Sequence, residues 1–265
     1  RQGVELAEIG QLSRGGAVAF TDDGFPVSNA RVMRLAMNYS KMFDKPVISH
    51  SEDMSLSGSG VMNEGVVSTA LGLPGIPAAS EQICVSRDCI LAEITGARLH
   101  IAHVSTAGAV EIVRRAKARG VNVTAETAPH YLALTDECIR TFDTNCKMNP
   151  PLRTAEDVAE VKQGIVDGTI DALISDHAPH ASQEKDVEFS LAPFGIIGME
   201  SELPVFIREL VTPGLLSWSQ FIAKMTVNPA RILRLPKGAL EVGACADVTI
   251  IDPDIVWTIR AKDFY

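Results

Sequence analysis

The sequence predicts an α/β protein built on a parallel sheet, and three observations carry that expectation. Short apolar, β-branched runs alternate with amphipathic helical segments along most of the chain. The runs are apolar on both faces until their last residues, as strands covered on both sides must be. Titratable residues gather where the runs end, which is where parallel α/β folds, barrels above all, keep their chemistry. One barrel, alone or with a small appendage, fits 265 residues.

In chain order, strands are expected at 17–22 (AVAFTD), 46–51 (PVISHS), 99–105 (LHIAHVS), 121–126 (VNVTAE) and 171–176 (DALISD). NARVMRLAMNYSKMF and AGAVEIVRRAKARG place apolar residues three and four apart, as helices do, and the second ends on Gly120. Between 57 and 98 the GLPGIP stretch predicts an irregular loop ahead of a helix around SEQICVSRDCILAEITG. After Leu235, short β-rich runs broken by Gly and Pro read as the start of a separate β element, so 1–235 is expected to form the main domain and 236–265 the beginning of another.

Composition narrows the function classes. A hydrophobic share of 46% and a charged share of 22% suit a folded, water-exposed chain, and no apolar run approaches the roughly 18 residues of a membrane span. A net charge of -9 opposes nucleic acid and anionic lipid and favours a small-molecule partner. Five cysteines, an odd number without a Cys-x-x-Cys pair, fit a reducing cytoplasm. The amino terminus, RQGVELAEIGQLSRGG, has no signal-peptide apolar stretch and no initiator methionine, and reads as a start in mid-protein.

Four strand ends deliver groups able to bind a metal: Asp22 and Asp23, His50, His103 and Asp176. Imidazole and carboxylate donors converging from separate strands suit zinc, whose catalytic sites take about three protein ligands and leave one position open. Each residue also has a plainer reading: TDDG is a common turn, and a single histidine at a strand end is often only hydrogen-bonded. Four such ends together are unusual in a purely structural sheet. His100 lies on the opposite strand face from His103 and reads as structural; His130, after TAP, reads as structural, with a pocket residue as the alternative. Tyr131, Trp218 and Trp257 read as core or surface aromatics.

With AFTDDG (19–24), ISHSED (48–53), GLPGIP (72–77), AHVST (102–106), VTAETAPHYL (123–132), KMNPPLR (147–153), DGTIDALISDHAPH (167–180), EK (184–185) and APFGIIGMES (192–201), the sequence resembles the type I dihydroorotases of the amidohydrolase superfamily over essentially its whole length. The most specific element is Asp-x-Ala-Pro-His followed by four residues and Lys; Ile174 departs from it, since the family usually has a small residue there. The resemblance implies a TIM-type (β/α)8 metal-dependent hydrolase barrel with its first strands absent from this chain, followed by part of a small β-sandwich. It implies two zinc ions per complete active site. Asp23 bridges them, His50 and His103 complete one, and Asp176 touches the other and exchanges a proton with the reacting amide. Asn149, His180 and the backbone of Phe194 and Gly195 match substrate-binding positions, and 181–191 a mobile loop over the site.

The implied reaction is the reversible cyclisation of N-carbamoyl-L-aspartate to L-dihydroorotate in cytoplasmic pyrimidine biosynthesis. Either a homo-oligomer or a complex with aspartate transcarbamoylase is implied as the assembly. The family's His-x-His-x-Arg motif is absent from the 265 residues. The chain is therefore expected to be a fragment of a complete enzyme, inactive by itself, rather than a natural truncation. Two alternatives stand beside this reading. One is another cyclic amidohydrolase of allantoinase or dihydropyrimidinase type, which usually has a lysine in place of Asp23. The other is a non-catalytic dihydroorotase-like scaffold for aspartate transcarbamoylase, which would have shed the ligands kept here.

Overall fold

The computed structural model describes residues 3–256 and 258–260. Five parallel strands form the main sheet, neighbours in chain order: β1 (Phe20–Thr21), β2 (Val47–Ser49), β3 (Leu99–Ile101), β4 (Val123–Thr127) and β5 (Ala172–Leu173). Each overlaps the run assigned to it from sequence. The register is level across the sheet: Val47 pairs with both Phe20 and Leu99, and Leu99 pairs with Val123. Residues just beyond each strand therefore emerge on one end of the sheet. The strands are shorter than expected because the backbone leaves the ladder to aim the residues that follow. His103 and Asp176 both adopt the left-handed region, at φ of 34° and 49°, a conformation that costs a non-glycine residue of order 1–3 kcal/mol and is concentrated at functional sites.

Helices α1 (Ala30–Lys41), α2 (Ala78–Thr95), α3 (Ala107–Ala118) and α4 (Ala155–Val166) cover the outer face. Their starts are set by side-chain caps: Asn29 accepts from Arg31 and Val32, Thr106 from Ala109, and Thr154 exchanges hydrogen bonds with Asp157. Gly96 ends α2 in the left-handed region, where a Cβ is strained. Leu99, Ile101, Val123 and Ala125 turn outward into one buried cluster with Met33, Met37, Val85, Val110 and Val113 from the helices. On β3, His100 alternates to the other face, where its ring lies 2.9 Å from Glu126 and 2.7 Å from Thr124. That is the structural role its parity predicts. Tyr131 is buried, with its hydroxyl donating to the Pro150 carbonyl, and Trp218 packs edge-on to Phe221. Trp257 lies outside the described residues.

Two segments differ from expectation. The 57–77 stretch is not irregular throughout: Met62–Asn63 pairs in parallel with Gly75–Ile76, and Val66–Leu71 is helical. Gly75 permits the pairing, since a Cβ there would lie 2.5 Å from the Glu64 Cα. The β element expected over 236–265 forms no strand among the described residues, and Val242, Ile250 and Val256 stand almost fully exposed. The β pattern is present, but a strand needs a neighbour to take its backbone hydrogen bonds. No described segment supplies one.

Candidate metal centre

Asp23, His50 and His103 converge from the ends of β1, β2 and β3, with one donor atom from each lying within 4.8 Å of the others. His50 Nδ1 is 3.4 Å from Asp23 Oδ1, His103 Nε2 is 3.5 Å from the same oxygen, and the two ring nitrogens are 2.8 Å apart. Donors on one tetrahedral zinc with bonds near 2.0–2.2 Å sit roughly 3.3–3.6 Å apart. The two edges to Asp23 match that spacing, and the His50–His103 edge is shorter.

The surroundings fix how these groups point. Asp22 is not part of the triangle: one of its oxygens accepts from the His50 backbone N–H at 2.9 Å and the other from Val27 at 2.8 Å, which ties the end of β1 to β2. Ser49, beside His50, donates to the buried Asp88 of α2. Glu52 Oε2 lies 3.1 Å from His50 Nε2 and accepts from Asn149 Nδ2 at 2.8 Å. A carboxylate at Nε2 keeps the proton on that nitrogen and leaves Nδ1 as a lone pair facing His103 and Asp23. The His103 Nδ1 is buried without a hydrogen-bond partner. Two imidazole nitrogens and a carboxylate crowded around one point repel unless a cation or protons sit between them. The donor set fits a divalent metal.

Without a metal, protons take that role. Burial pulls the His50 imidazolium down, but Asp23 and Glu52 outweigh it and raise its pKa to about 9. Contacts with His103 and His50 hold the Asp23 carboxyl far below the usual carboxylate range. Burial raises Glu52, and hydrogen bonds from His50, Ser57 and Asn149 more than reverse this, to about 2.

Asp176 lies outside the triangle. Its Oδ2 is 3.5 Å from Nε2 of His130, a fully buried ring with no hydrogen bond at that nitrogen. Burial raises the Asp176 pKa, but His130 and the nearby His103 outweigh it, so the net shift is downward. Burial also pushes the His130 pKa down, with Asp176 opposing it. Asn149 and Phe194 line, with Glu52 and Met54, a cavity of about 360 Å³. His180 Nε2 is 2.9 Å from the Phe194 carbonyl. Gly195 is required beside it, since a Cβ there would approach the Ala178 carbonyl to 2.5 Å. The structure thus gathers Asp23, His50 and His103 at one point and Asn149 and Phe194 at the adjoining cavity. Sequence reasoning missed Glu52, which links the two groups, and favoured a structural role for His130 over a place in the pocket. In both cases the signal was a titratable residue within a few positions of a strand end.

A family model described as dihydro-orotase-like matches residues 1–109. The chain is 59% identical over 254 residues to a dihydroorotase of Pelotomaculum thermopropionicum, covering 96% of this chain and 60% of that protein. It is 57% identical over 258 residues to a dihydroorotase of Syntrophotalea carbinolica, covering 97% and 60%. Among solved structures, an L-hydantoinase (dihydropyrimidinase) of Arthrobacter aurescens superposes with a TM-score of 0.84 at 26% identity, over 97% of this chain and 60% of that one. The chain therefore spans about 60% of the length of the curated relatives it matches, and its five-stranded arc with outer helices is part of an amidohydrolase barrel.

Proposed function

We propose, from the match of residues 1–109 to a dihydro-orotase-like family model and the 57–59% identity to curated dihydroorotases, that the protein is a zinc-dependent dihydroorotase. It interconverts N-carbamoyl-L-aspartate and L-dihydroorotate on the route to pyrimidines, in the cytoplasm. The observation that supports this most is the Asp23–His50–His103 triangle, joined through Glu52 to the cavity that Asn149 lines. Bound zinc polarises an amide carbonyl and brings a bound water's pKa to about 7. Asp23, His50 and His103 would hold one metal, and Asp176 together with Asp23 would contribute to holding a second. Asp176, held as a carboxylate beside His130, takes the proton of the attacking water and delivers it to the amide nitrogen as the ring opens; in ring closure it takes the proton from that nitrogen and returns it to the departing hydroxide. Asn149, His180, Phe194 and Gly195 bind the substrate. The barrel runs to about 235, and 236–265 begin a small β-sandwich. Assembly is as a homo-oligomer or with aspartate transcarbamoylase.

The substrate test compares dihydroorotate, dihydrouracil and allantoin with the full-length protein. Ring opening of dihydroorotate alone is expected, whereas preference for either of the others assigns the site to a different cyclic amidohydrolase.

Two predictions concern metal affinity. His50 must lose its proton to bind, so zinc affinity should rise with pH by up to about tenfold per unit below the His50 pKa and level off above it; that pKa is about 9. Chelator-buffered zinc titrations at several pH values check this, and a flat profile contradicts it. Glu52→Gln removes the carboxylate that orients His50, and zinc affinity should fall about 10–100-fold, as when other partners of metal ligands are lost. Unchanged affinity in the same titration would remove Glu52 from that role.

A further inference from the structure

Lys185, which closes the Asp-x-Ala-Pro-His-x4-Lys pattern, has no role in the account above. Its ammonium donates to four backbone carbonyls: Thr144 at 3.1 Å, Lys147 at 3.1 Å, Pro193 at 2.8 Å and Gly195 at 2.7 Å. An ammonium has three N–H groups, so the four acceptors share them. The carbonyls come from two segments far apart in sequence, and Lys185 itself ends the short helix Ser182–Lys185 that follows His180. The first segment, 144–147, leads directly to Asn149. The second, 193–195, carries Phe194 and Gly195.

Other contacts run the same way. The Gly195 N–H donates to the Lys147 carbonyl at 2.9 Å. Lys147 is itself buried, donates to the carbonyls of Phe189 and Ser190, and sits 4.8 Å over the Phe194 ring. The 189–195 segment is thus pinned at both ends by ammonium groups that take backbone oxygens as partners. Carbonyls gathered around a positive charge are oriented by it, since charge-assisted hydrogen bonds are the stronger kind.

We propose that Lys185 is the positioning residue that holds Asn149, His180 and the Phe194–Gly195 backbone in one constellation, by drawing the carbonyls of 144–147 and 193–195 onto an ammonium carried by the segment that follows His180. The inference rests on the reading that these four residues bind substrate. Lys185 touches no proposed metal ligand, so its loss acts on substrate binding and spares the metal.

The test uses Lys185→Ala in the full-length protein, with Lys185→Met as a second variant that keeps the stem packed. In both, KM for dihydroorotate rises roughly tenfold or more, in line with losing charged hydrogen bonds, while zinc content and kcat stay near wild type. Methylammonium added to Lys185→Ala refills the carbonyl cage and restores KM. Lys185→Arg does not restore it, because a planar guanidinium cannot fan out to four carbonyls. KM within about twofold of wild type, a loss that takes zinc or kcat with it, or no methylammonium rescue overturns the proposal. If wild type fails to open dihydroorotate, the functional reading fails instead. Hydrogen exchange then decides the clamp: amides of 189–195 must exchange roughly tenfold faster in Lys185→Ala, and unchanged exchange overturns it.

Discussion

Replacing Asp176 by asparagine in the full-length protein should lower kcat by about 10²–10⁴-fold, the usual worth of a general acid–base group, with little change in KM. The amide keeps the shape of the carboxylate but cannot take a proton. His130 and His103 hold Asp176 ionised against the pull of burial, so the group is a base at neutral pH. It stands outside the Asp23–His50–His103 triangle, so zinc at those three donors should persist, and metal analysis separates a proton-transfer defect from metal loss. Turnover within a few-fold of wild type would take Asp176 out of the mechanism.

The largest stability loss is expected at Arg153, which is 2% exposed and joins three parts of the chain. It donates to the Asn63 side chain and the Ile76 carbonyl at 2.9 Å each, and to Ser105 at 3.2 Å. The buried Glu81 on α2 lies 3.9 Å from it and accepts from the backbone N–H groups of Ser105 and Thr106, just past His103. Removing one member of a buried charged pair leaves the other uncompensated, at a cost of about 3–5 kcal/mol. Arg153→Ala should therefore lower the urea midpoint by that equivalent, and zinc affinity should fall with it as His103 loses its support. A loss under about 1 kcal/mol would show that the cluster does not act as a unit.

The sheet and the triangle were legible in the sequence because they follow from short-range rules. Short apolar, β-branched runs located β1 to β5, and side chains just past level strand ends had to meet on one end of the sheet. On that ground Asp22, Asp23, His50, His103 and Asp176 could be picked out as a set, and the choice of Asp23 over Asp22 came from the family resemblance. Glu52 could not, because its importance comes from Asn149, 97 residues away in sequence. His130 follows an ordinary Ala-Pro, and only the fold turns its ring toward Asp176. The carbonyl cage of Lys185 likewise spans 41 residues back to Thr144. The two-residue pairing of Met62–Asn63 with Gly75–Ile76 is too short to leave a periodic signal and is interrupted by Gly and Pro. Over 236–265 the pattern was read as β, but the ladder that would realise it needs a partner strand that no local signal supplies.

The central claim is that three strand ends build one metal site, and diffraction from the zinc-loaded full-length protein, collected at the zinc absorption edge, tests it most directly. The account predicts an anomalous peak within about 2.0–2.2 Å of Asp23 Oδ1, His50 Nδ1 and His103 Nε2 together. Bound zinc whose anomalous peak lies away from these three atoms would contradict it.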